Sequence, residues 1–412
     1  MKQSVLRKYA RLIARVGANV QPGQPVMLTA AVEQSDFAVM VAEELYLAGS
    51  SRVDMEWTCQ AISKLEYNYQ SEETLCTYPA WKEEKLKLMA KEFPCRVFLN
   101  SDDPDGLKGV DTEKMTKSKK VITPLTKPYR DAIASKHQWC IAAVPSTAWA
   151  KMVFPDLSDE AAVEALWDAI LKAVHVSDDP SNDPIAEWAA HNDNLHKRGD
   201  WLNAQKFDYL IYHSANGTDF RVDLNPLGLW KGGSDSTTSG CYYNANLPTE
   251  ELYTSPMSGK AEGKLVSTKP LSYQGQIINN FWIRFENGTA VEWDAEQGKE
   301  LLGQMLTMDE GASRLGEVAL IPCESPINRS GILFYKTLYD ENASCHFAMG
   351  NGFNNCLEGG KNMTSEQCHA LGVNESMIHV DFMVGADDMC ITGYKNGVAT
   401  PVFINGTWAQ NV

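Results

Sequence analysis

A chain of 412 residues is too long for one ordinary hydrophobic core, so its length predicts two or three domains. Its formal net charge of −16 disfavours nucleic acids and anionic membranes as partners, because binding to phosphates needs clustered lysine and arginine. No apolar run approaches the roughly 18 residues needed to span a bilayer. The N-terminus also lacks the unbroken apolar stretch of a signal peptide, so we expect a cytoplasmic protein.

The first part of the chain alternates predicted helices with predicted strands. Apolar residues at helical spacing predict helices over residues 3–17, 37–47, 159–174 and 185–202, and short apolar runs predict strands at 25–30, 52–57, 96–100 and 139–145. This alternation predicts an α/β N-terminal domain built on a parallel sheet with helices on both faces. No glycine-rich phosphate loop follows these strands, so the pattern does not indicate a nucleotide.

The pattern of predicted secondary structure changes near residue 206, where predicted strands become short and predicted turns become frequent. Asn216-Gly217 and Asn287-Gly288 each separate two apolar segments, which is a hairpin signal. A helix is predicted over residues 295–308. The second half is therefore expected to be an α+β, mainly antiparallel domain, and we place the two predicted domains at residues 1–195 and 196–412.

Four short segments of this second half offer carboxylates or imidazoles beside predicted strands or turns. They supply three carboxylates and two imidazoles, from Glu251, Glu317, His346, His379 and Asp381. Such a set can hold two divalent metal ions, and sites of this kind activate water for hydrolysis. Zinc is the default ion for mixed histidine and carboxylate ligands, although the ligand set accommodates cobalt or manganese as well.

The carboxylates of the set also have simpler interpretations. Glu317 enters an apolar strand, which is costly unless the side chain is paired or exposed at the strand end. Gly316 before it permits a close approach of another backbone segment. Adjacent glutamates such as Glu250 and Glu251 are usually solvated, and if one is functional the other points away, since neighbours in an extended chain face opposite sides.

The histidines have alternatives too. His379 and Asp381 are two residues apart in a predicted strand and share a face, but an isolated pair of this kind is more often structural. A lone histidine such as His346 is more often a core residue than a ligand, and only the acid-rich approach at residues 340–341 favours the ligand interpretation. A thiol nucleophile at Cys345 is disfavoured, because adjacent residues of an extended segment cannot face each other.

Taken in order, the four segments resemble those of the M29 family of metallo-aminopeptidases. Further similar segments run through nearly the whole chain, among them residues 16–23, 154–156, 216–219, 267–271, 309–312, 325–327 and 379–383. The resemblance implies an exopeptidase that removes N-terminal residues from peptides, with a β-rich metal-binding C-terminal domain and a homodimer enclosing a chamber. By motif, the implied ligands of two divalent ions are Glu251, Glu317, His346, His379 and Asp381, and Glu251 is preferred to Glu250 because it directly precedes Leu252.

In the expected reaction, Glu317 or Glu251 carries the proton from water to the leaving amine.

The sequence departs from the family pattern at one position. A functional tyrosine usually follows the first histidine, whereas this chain has Phe353, which carries no hydroxyl. Loss of one such donor typically costs on the order of 100-fold in rate. The alternative function is therefore a catalytically impaired peptide- or metal-binding relative of the same fold.

Overall fold

The computed structural model describes residues 1–274 and 276–409, which form two compact units. The first unit consists of Met1–Trp188 together with Ser234–Leu247, and the second consists of Ala189–Gly233 together with the chain from Pro248 onward. A later segment of the chain thus belongs to the first unit, an arrangement that a single cut between residues 195 and 196 does not represent. Among the described residues, no helix is long and apolar enough to cross a membrane.

The α-helices are numbered in chain order. They are α1 (Gln3–Leu12), α2 (Ser35–Leu47), α3 (Gln60–Tyr69), α4 (Glu72–Leu75), α5 (Ala80–Glu92), α6 (Thr112–Ile133), α7 (Thr147–Val153), α8 (Asp159–Ala173), α9 (Pro184–Gln205), α10 (Lys299–Leu306), α11 (Pro326–Arg329), α12 (Thr337–Asp340) and α13 (Ser365–Ala370). A π-helical segment, Ile13–Gly17, continues α1.

The strands follow the same order. They are β1 (Pro25–Ala31), β2 (Arg52–Thr58), β3 (Cys95–Asn100), β4 (Trp139–Ala143), β5 (Tyr209–His213), β6 (Asp219–Leu224), β7 (Lys231–Gly232), β8 (Asp235–Ser236), β9 (Tyr242–Tyr243), β10 (Asn246–Leu247), β11 (Leu252–Thr254), β12 (Pro256–Val266), β13 (Leu271–Tyr273), β14 (Gln276–Glu286), β15 (Thr289–Gln297), β16 (Leu315–Leu320), β17 (His346–Gly350), β18 (His379–Met383), β19 (Cys390–Lys395), β20 (Val398–Ile404) and β21 (Thr407–Trp408).

The first unit is built on a five-stranded parallel sheet in the order β10-β4-β3-β1-β2. Its central strands are apolar and buried, as Leu28 and Val97 illustrate, which is typical of a sheet covered on both faces. The helices α3, α5 and α6 were not predicted from the sequence. In α6 the reason is visible, because Pro124 and Pro128 lie inside the helix and are ordinarily helix breakers.

The second unit contains two antiparallel sheets. The nine-stranded sheet has the order β13-β14-β12-β6-β5-β19-β20-β21 with β15 paired to β14, and it includes both predicted hairpins. The predicted helix over residues 295–308 is wrong at its start, because Ala295 pairs with Phe281 and β15 continues to Gln297. Gly298 then takes a φ of 80°, which favours glycine, and α10 begins after it.

The second sheet of this unit has five strands in the order β18-β17-β16-β11-β7 and carries the candidate site. We call it the site sheet. Its core-facing side chains, such as Val318, Phe347 and Phe382, are buried in the main hydrophobic cluster of the unit. The two units together confirm the predicted fold class, an α/β N-terminal part with a parallel sheet followed by an α+β, mainly antiparallel part.

Candidate metal centre

The polar residues of the cluster lie on one face of the site sheet, opposite its apolar face. In the antiparallel register Ala319 is opposite His346, Ala348 is opposite Asp381, and Gly350 is opposite His379. Directly opposed residues share a face, and so do residues two apart along a strand. Glu317, which is two residues before Ala319, therefore belongs to the same face as both histidines and Asp381. The period-two pattern of each strand is what separates these ligand-type side chains from the core.

A bulge at Gly316 sets the position of Glu317. The register between β16 and β17 shifts between Leu315 and Glu317, so Gly316 is the extra residue. A Cβ atom at Gly316 would lie 2.2 Å from the carbonyl oxygen of Asn351, so only glycine fits there. The close backbone approach expected from the sequence at this glycine is therefore present.

His346 lies at the centre of the first group of ligand-type atoms. Its Nε2 atom is 3.5 Å from a carboxylate oxygen of Glu251, 3.8 Å from one of Glu317 and 4.0 Å from one of Asp381. Glu251 precedes β11, whereas the other three residues lie on β16, β17 and β18. Three other chain segments thus bring a carboxylate close to this one imidazole nitrogen.

His379 forms the second group with two of the same carboxylates. Its Nε2 atom is 3.1 Å from Glu317 and 3.3 Å from Asp381. Its other ring nitrogen, Nδ1, lies 2.7 Å from the carbonyl oxygen of Asn351, a contact in which Nδ1–H donates. That hydrogen bond fixes the tautomer and leaves Nε2 free to act as a ligand, which is the usual arrangement around metal-binding histidines.

Within the cluster, two sets of three residues could each hold one divalent cation. Glu251, Glu317 and His346 form one set, and Glu317, His379 and Asp381 form the other, with the ligand atoms of each set within 4.8 Å of one another. Glu317 belongs to both sets. A carboxylate has two oxygens, so one residue can belong to both sets.

The cluster is buried to a degree that is unfavourable without a cation. The exposed fraction is 3% for Glu317, 1% for His346 and 7% for both Glu251 and Asp381. Oδ1 of Asp381 is buried and accepts no hydrogen bond of good geometry from any described residue. Buried acceptors are ordinarily satisfied, and a divalent cation would satisfy this one. The donor set therefore fits divalent metal ions.

The protonation states also reflect crowded charges. Burial raises the pKa of Glu251 to about 8, and the neighbouring Glu317 carboxylate adds to the increase. Burial acts to raise the pKa of Glu317 as well, but the two neighbouring imidazoles, those of His346 and His379, outweigh it and hold that pKa at about 2. Burial acts to lower the pKa of His346, but the surrounding carboxylates raise it to about 9. The histidines thus supply positive charge among these acids.

Known proteins match this chain over almost its whole length. A model of the family described as thermophilic metalloprotease (M29) matches residues 2–408. The chain belongs to the M29 family. It is 38% identical over 406 residues to Aminopeptidase 2 of Geobacillus stearothermophilus, covering 98% of this chain and 97% of that relative. It is 40% identical over 406 residues to Aminopeptidase AmpS of Bacillus subtilis (strain 168), covering 98% of each.

A solved M29 structure has the same fold. Wild-type AmpT from Thermus thermophilus matches with a TM-score of 0.91 and 38% identity, over 99% of this chain and 100% of that chain. The resemblance found in the sequence, and with it the prediction of a metallopeptidase of the hydrolase class, are confirmed. A dioxygenase from Pseudomonas putida KT2440 that acts on a dihydroxypyridine matches with a TM-score of 0.54 at 12% identity, which shows likeness of fold alone.

Glu341 is a further carboxylate within electrostatic reach of the cluster, and the sequence-based ligand set omits it. It begins the 3-10 turn Glu341–Ala343, and burial together with the charges of Asp381 and Glu251 raises its pKa well above the ordinary value. The only sequence signal for it is the acid-rich approach to His346. Its place in the cluster depends on the turn, which residue spacing does not reveal.

The turn that carries Glu341 is joined to the loop that carries Glu251. Oδ1 of Asn342 accepts a hydrogen bond of 2.7 Å from the backbone N–H of Glu250, and Nδ2 donates to the carbonyl of Leu338 over 3.0 Å. Asn342 is fully buried. Glu250 itself lies outside the cluster, 4.0 Å from Nε2 of His191, so the two adjacent glutamates diverge as expected for an extended chain.

Phe353 borders the cluster, at the position where the family resemblance leads one to expect a tyrosine. Its ring centroid is 4.8 Å from that of His379 and 5.4 Å from that of Tyr253.

Cys345 points away from the cluster into the core, where its Sγ donates to the carbonyl of Ile321 and burial raises its pKa to about 12. A thiol of this kind is not a nucleophile, since the reactive form is the thiolate.

Proposed function

We propose that this M29 chain is an aminopeptidase that uses two divalent ions, and that the ions share Glu317. The observation that carries the proposal is the overlap of the two three-residue sets at one buried carboxylate. The two relatives aligned over 98% of this chain are named aminopeptidases, which supports the choice of peptides with a free N-terminus as substrates. The negative net charge of −16 also suits a substrate that carries a free amine.

In this proposal each ion has its own histidine. Glu251 and His346 would hold one ion, His379 and Asp381 would hold the other, and Glu317 would contribute to both. Zinc is the first choice for such mixed ligands, with cobalt and manganese as the other candidates. When bound, divalent ions lower the pKa of water from about 15.7 toward neutrality and polarise a carbonyl group.

The side chains then have distinct tasks. The Asn351 carbonyl keeps Nε2 of His379 directed at the cluster, so the ligand geometry exists before a substrate arrives. One of the cluster carboxylates, Glu251 or Glu317, takes a proton from the attacking water and delivers it to the leaving amine. Glu341 stands outside both ligand sets and is a third candidate for this transfer. A homodimer and a cytoplasmic location stay predictions.

The test is hydrolysis of leucine and arginine p-nitroanilides by the purified protein. Activity is measured before and after treatment with EDTA, and again after addition of zinc, cobalt or manganese. We expect activity to vanish with the chelator and to return with metal. A useful control is His213→Ala, because His213 is an exposed histidine on the nine-stranded sheet and its loss should change nothing.

The opposite outcome is equally informative. If the protein binds two ions per chain and hydrolyses no aminoacyl p-nitroanilide or peptide with any of them, the aminopeptidase proposal is contradicted. The protein would then be a metal-binding relative that lacks the usual chemistry. If activity survives complete removal of metal, the metal-dependent mechanism itself is contradicted.

A further inference from the structure

Tyr253 lies on the same face of the site sheet as the cluster. It is opposite Ala319, which is in turn opposite His346, and directly opposed residues in an antiparallel sheet share a face. Its neighbour Leu252 belongs to the other face and is fully buried in the core. Tyr253 itself is half-buried.

An aromatic pair connects Tyr253 with the cluster. The rings of Tyr253 and Phe353 meet edge to face, with centroids 5.4 Å apart and an interplanar angle of 71°. The Phe353 ring in turn contacts the His379 ring at 4.8 Å. The backbone N–H of Phe353 donates to Oγ of Ser255 over 2.7 Å, which fastens this segment to the chain just after Tyr253. The pair is therefore held in place rather than free to turn.

The reaction proposed above would gain from a hydrogen-bond donor that adds to the polarisation of the carbonyl group by metal, and the side chains of the cluster do not supply one. Attack on an amide places negative charge on the carbonyl oxygen, and a preorganised hydrogen-bond donor stabilises that charge. Carboxylates repel it, and the imidazole nitrogens that face the cluster are committed as ligands. A neutral phenol donates a hydrogen bond without adding charge. Of the two rings in the aromatic pair, only that of Tyr253 carries a hydroxyl.

We propose that Tyr253 is a catalytic residue whose phenol hydroxyl donates a hydrogen bond to the carbonyl oxygen of the scissile amide. The phenol keeps its proton, which is shared in the hydrogen bond and not transferred. This inference rests on the proposed aminopeptidase function. It assigns to β11 a second role, since the same short strand follows the ligand-type residue Glu251.

The variant Tyr253→Phe removes one oxygen atom and keeps the ring contacts. We expect kcat on leucine p-nitroanilide to fall on the order of 100-fold, with KM and the metal content little changed. The matched control is Tyr209→Phe, because Tyr209 is stacked on Tyr394 at 4.9 Å in the nine-stranded sheet, and its kcat should equal that of the wild type. Adding Phe353→Tyr to the Tyr253→Phe variant places a phenol beside His379. We expect kcat of this double variant to be at least about ten-fold higher than that of Tyr253→Phe alone.

A binding measurement makes the test independent of turnover. The phosphonate analogue of leucine resembles the charged transition state, so Tyr253→Phe protein loaded with metal should bind it on the order of 100-fold more weakly in a calorimetric titration. An unchanged kcat and an unchanged phosphonate affinity in Tyr253→Phe would overturn the proposal. It would also be overturned if the variant bound less metal and its loss of kcat matched its loss of metal. If the wild type hydrolyses nothing yet binds the phosphonate, the aminopeptidase proposal fails while the Tyr253 comparison is still decided.

Discussion

The two antiparallel sheets of the second unit use the same charged residue types in opposite ways. On the nine-stranded sheet, Arg284 donates to Glu292 over 2.8 Å, and the two side chains are 38% and 56% exposed. On the site sheet, Glu317 is almost fully buried and faces histidines and other acids. Solvent screens the first pair and makes it nearly dispensable. The second group is energetically costly to bury without a counter-charge, so its burial favours a bound cation.

This difference shows that the alternation of apolar and polar residues along a strand does not determine whether the polar face of the sheet is buried. Both sheets alternate apolar and polar residues, and in both the apolar face packs into the core of the unit. Only in the site sheet is the polar face buried as well. A buried polar face with acids from several strands is therefore a stronger functional signal than any one acid or histidine in it.

Loss of a histidine from the site sheet should have the greatest consequence. His379→Ala removes one of the two histidine ligands, so we expect one ion per chain to be lost and activity to fall by more than about 1000-fold, well beyond the 10–100-fold typical of residues that only hold a ligand. Metal analysis and p-nitroanilide hydrolysis measure the two losses. Retention of both ions and of activity would contradict the assignment of His379.

Protons should compete with cations at the site sheet and not at the other sheet. In the metal-free protein the pKa values of His346 and Glu251 are raised to about 9 and about 8, so both groups hold protons at pH 7. Burial acts to lower the pKa of His379, but Asp381 and Glu317 raise it well above its ordinary value, so this ligand holds a proton as well. Binding of the ions must release these protons, and metal affinity should therefore rise steeply with pH, by at least about 100-fold per unit between pH 6 and pH 8. Calorimetric titrations from pH 6 to pH 9 in two buffers count the protons released. An affinity that does not change with pH would contradict this electrostatic account.

A smaller effect is expected from loss of the hydrogen bond between Asn342 and the loop that carries Glu251. Asn342→Ala removes the acceptor for the Glu250 N–H, which frees the loop carrying Glu251, so metal affinity should fall by about 10–100-fold. The matched control is Ser325→Ala, since Ser325 is equally buried and donates to the Asn342 carbonyl over 2.6 Å without touching that loop. It should lower the unfolding midpoint and leave metal affinity unchanged. Equal metal affinities in the two variants would contradict a positioning role for Asn342.

The least change is expected on the nine-stranded sheet. Glu292→Gln removes one charge from the exposed pair with Arg284, and we expect no measurable change in metal content, activity or unfolding midpoint. Thermal unfolding and metal analysis check this. A clear loss of metal in Glu292→Gln would show that the contrast between the two sheets is not the cause of metal binding.

Local patterns in the sequence predicted the faces of the site sheet well. The spacing of His379 and Asp381 placed both on one face, and Gly316 marked a close approach, because both features depend on a few neighbouring residues. The structure brings together all five residues singled out in the sequence. Their role as metal ligands stays a prediction.

Other features depended on distant contacts and were missed or misjudged. Glu341 reaches the cluster through a turn whose position is set by tertiary packing. Tyr253 joins the site through ring contacts with Phe353, about 100 residues later in the sequence. The predicted helix over residues 295–308 began too early, because pairing with β14 outweighs local helix propensity up to Gln297. Periodicity is local, whereas these features come from long-range packing.

The mechanism proposed above depends on two ions that share Glu317, and counting the bound metal decides whether they do. Metal-free wild type, Glu317→Gln and His379→Ala proteins are titrated with zinc under identical conditions, and the ions bound per chain are determined. We predict two ions for the wild type, one for His379→Ala and none held tightly for Glu317→Gln. A Glu317→Gln protein that still binds one ion with wild-type affinity, or a wild type that binds only one, would contradict the shared-carboxylate arrangement.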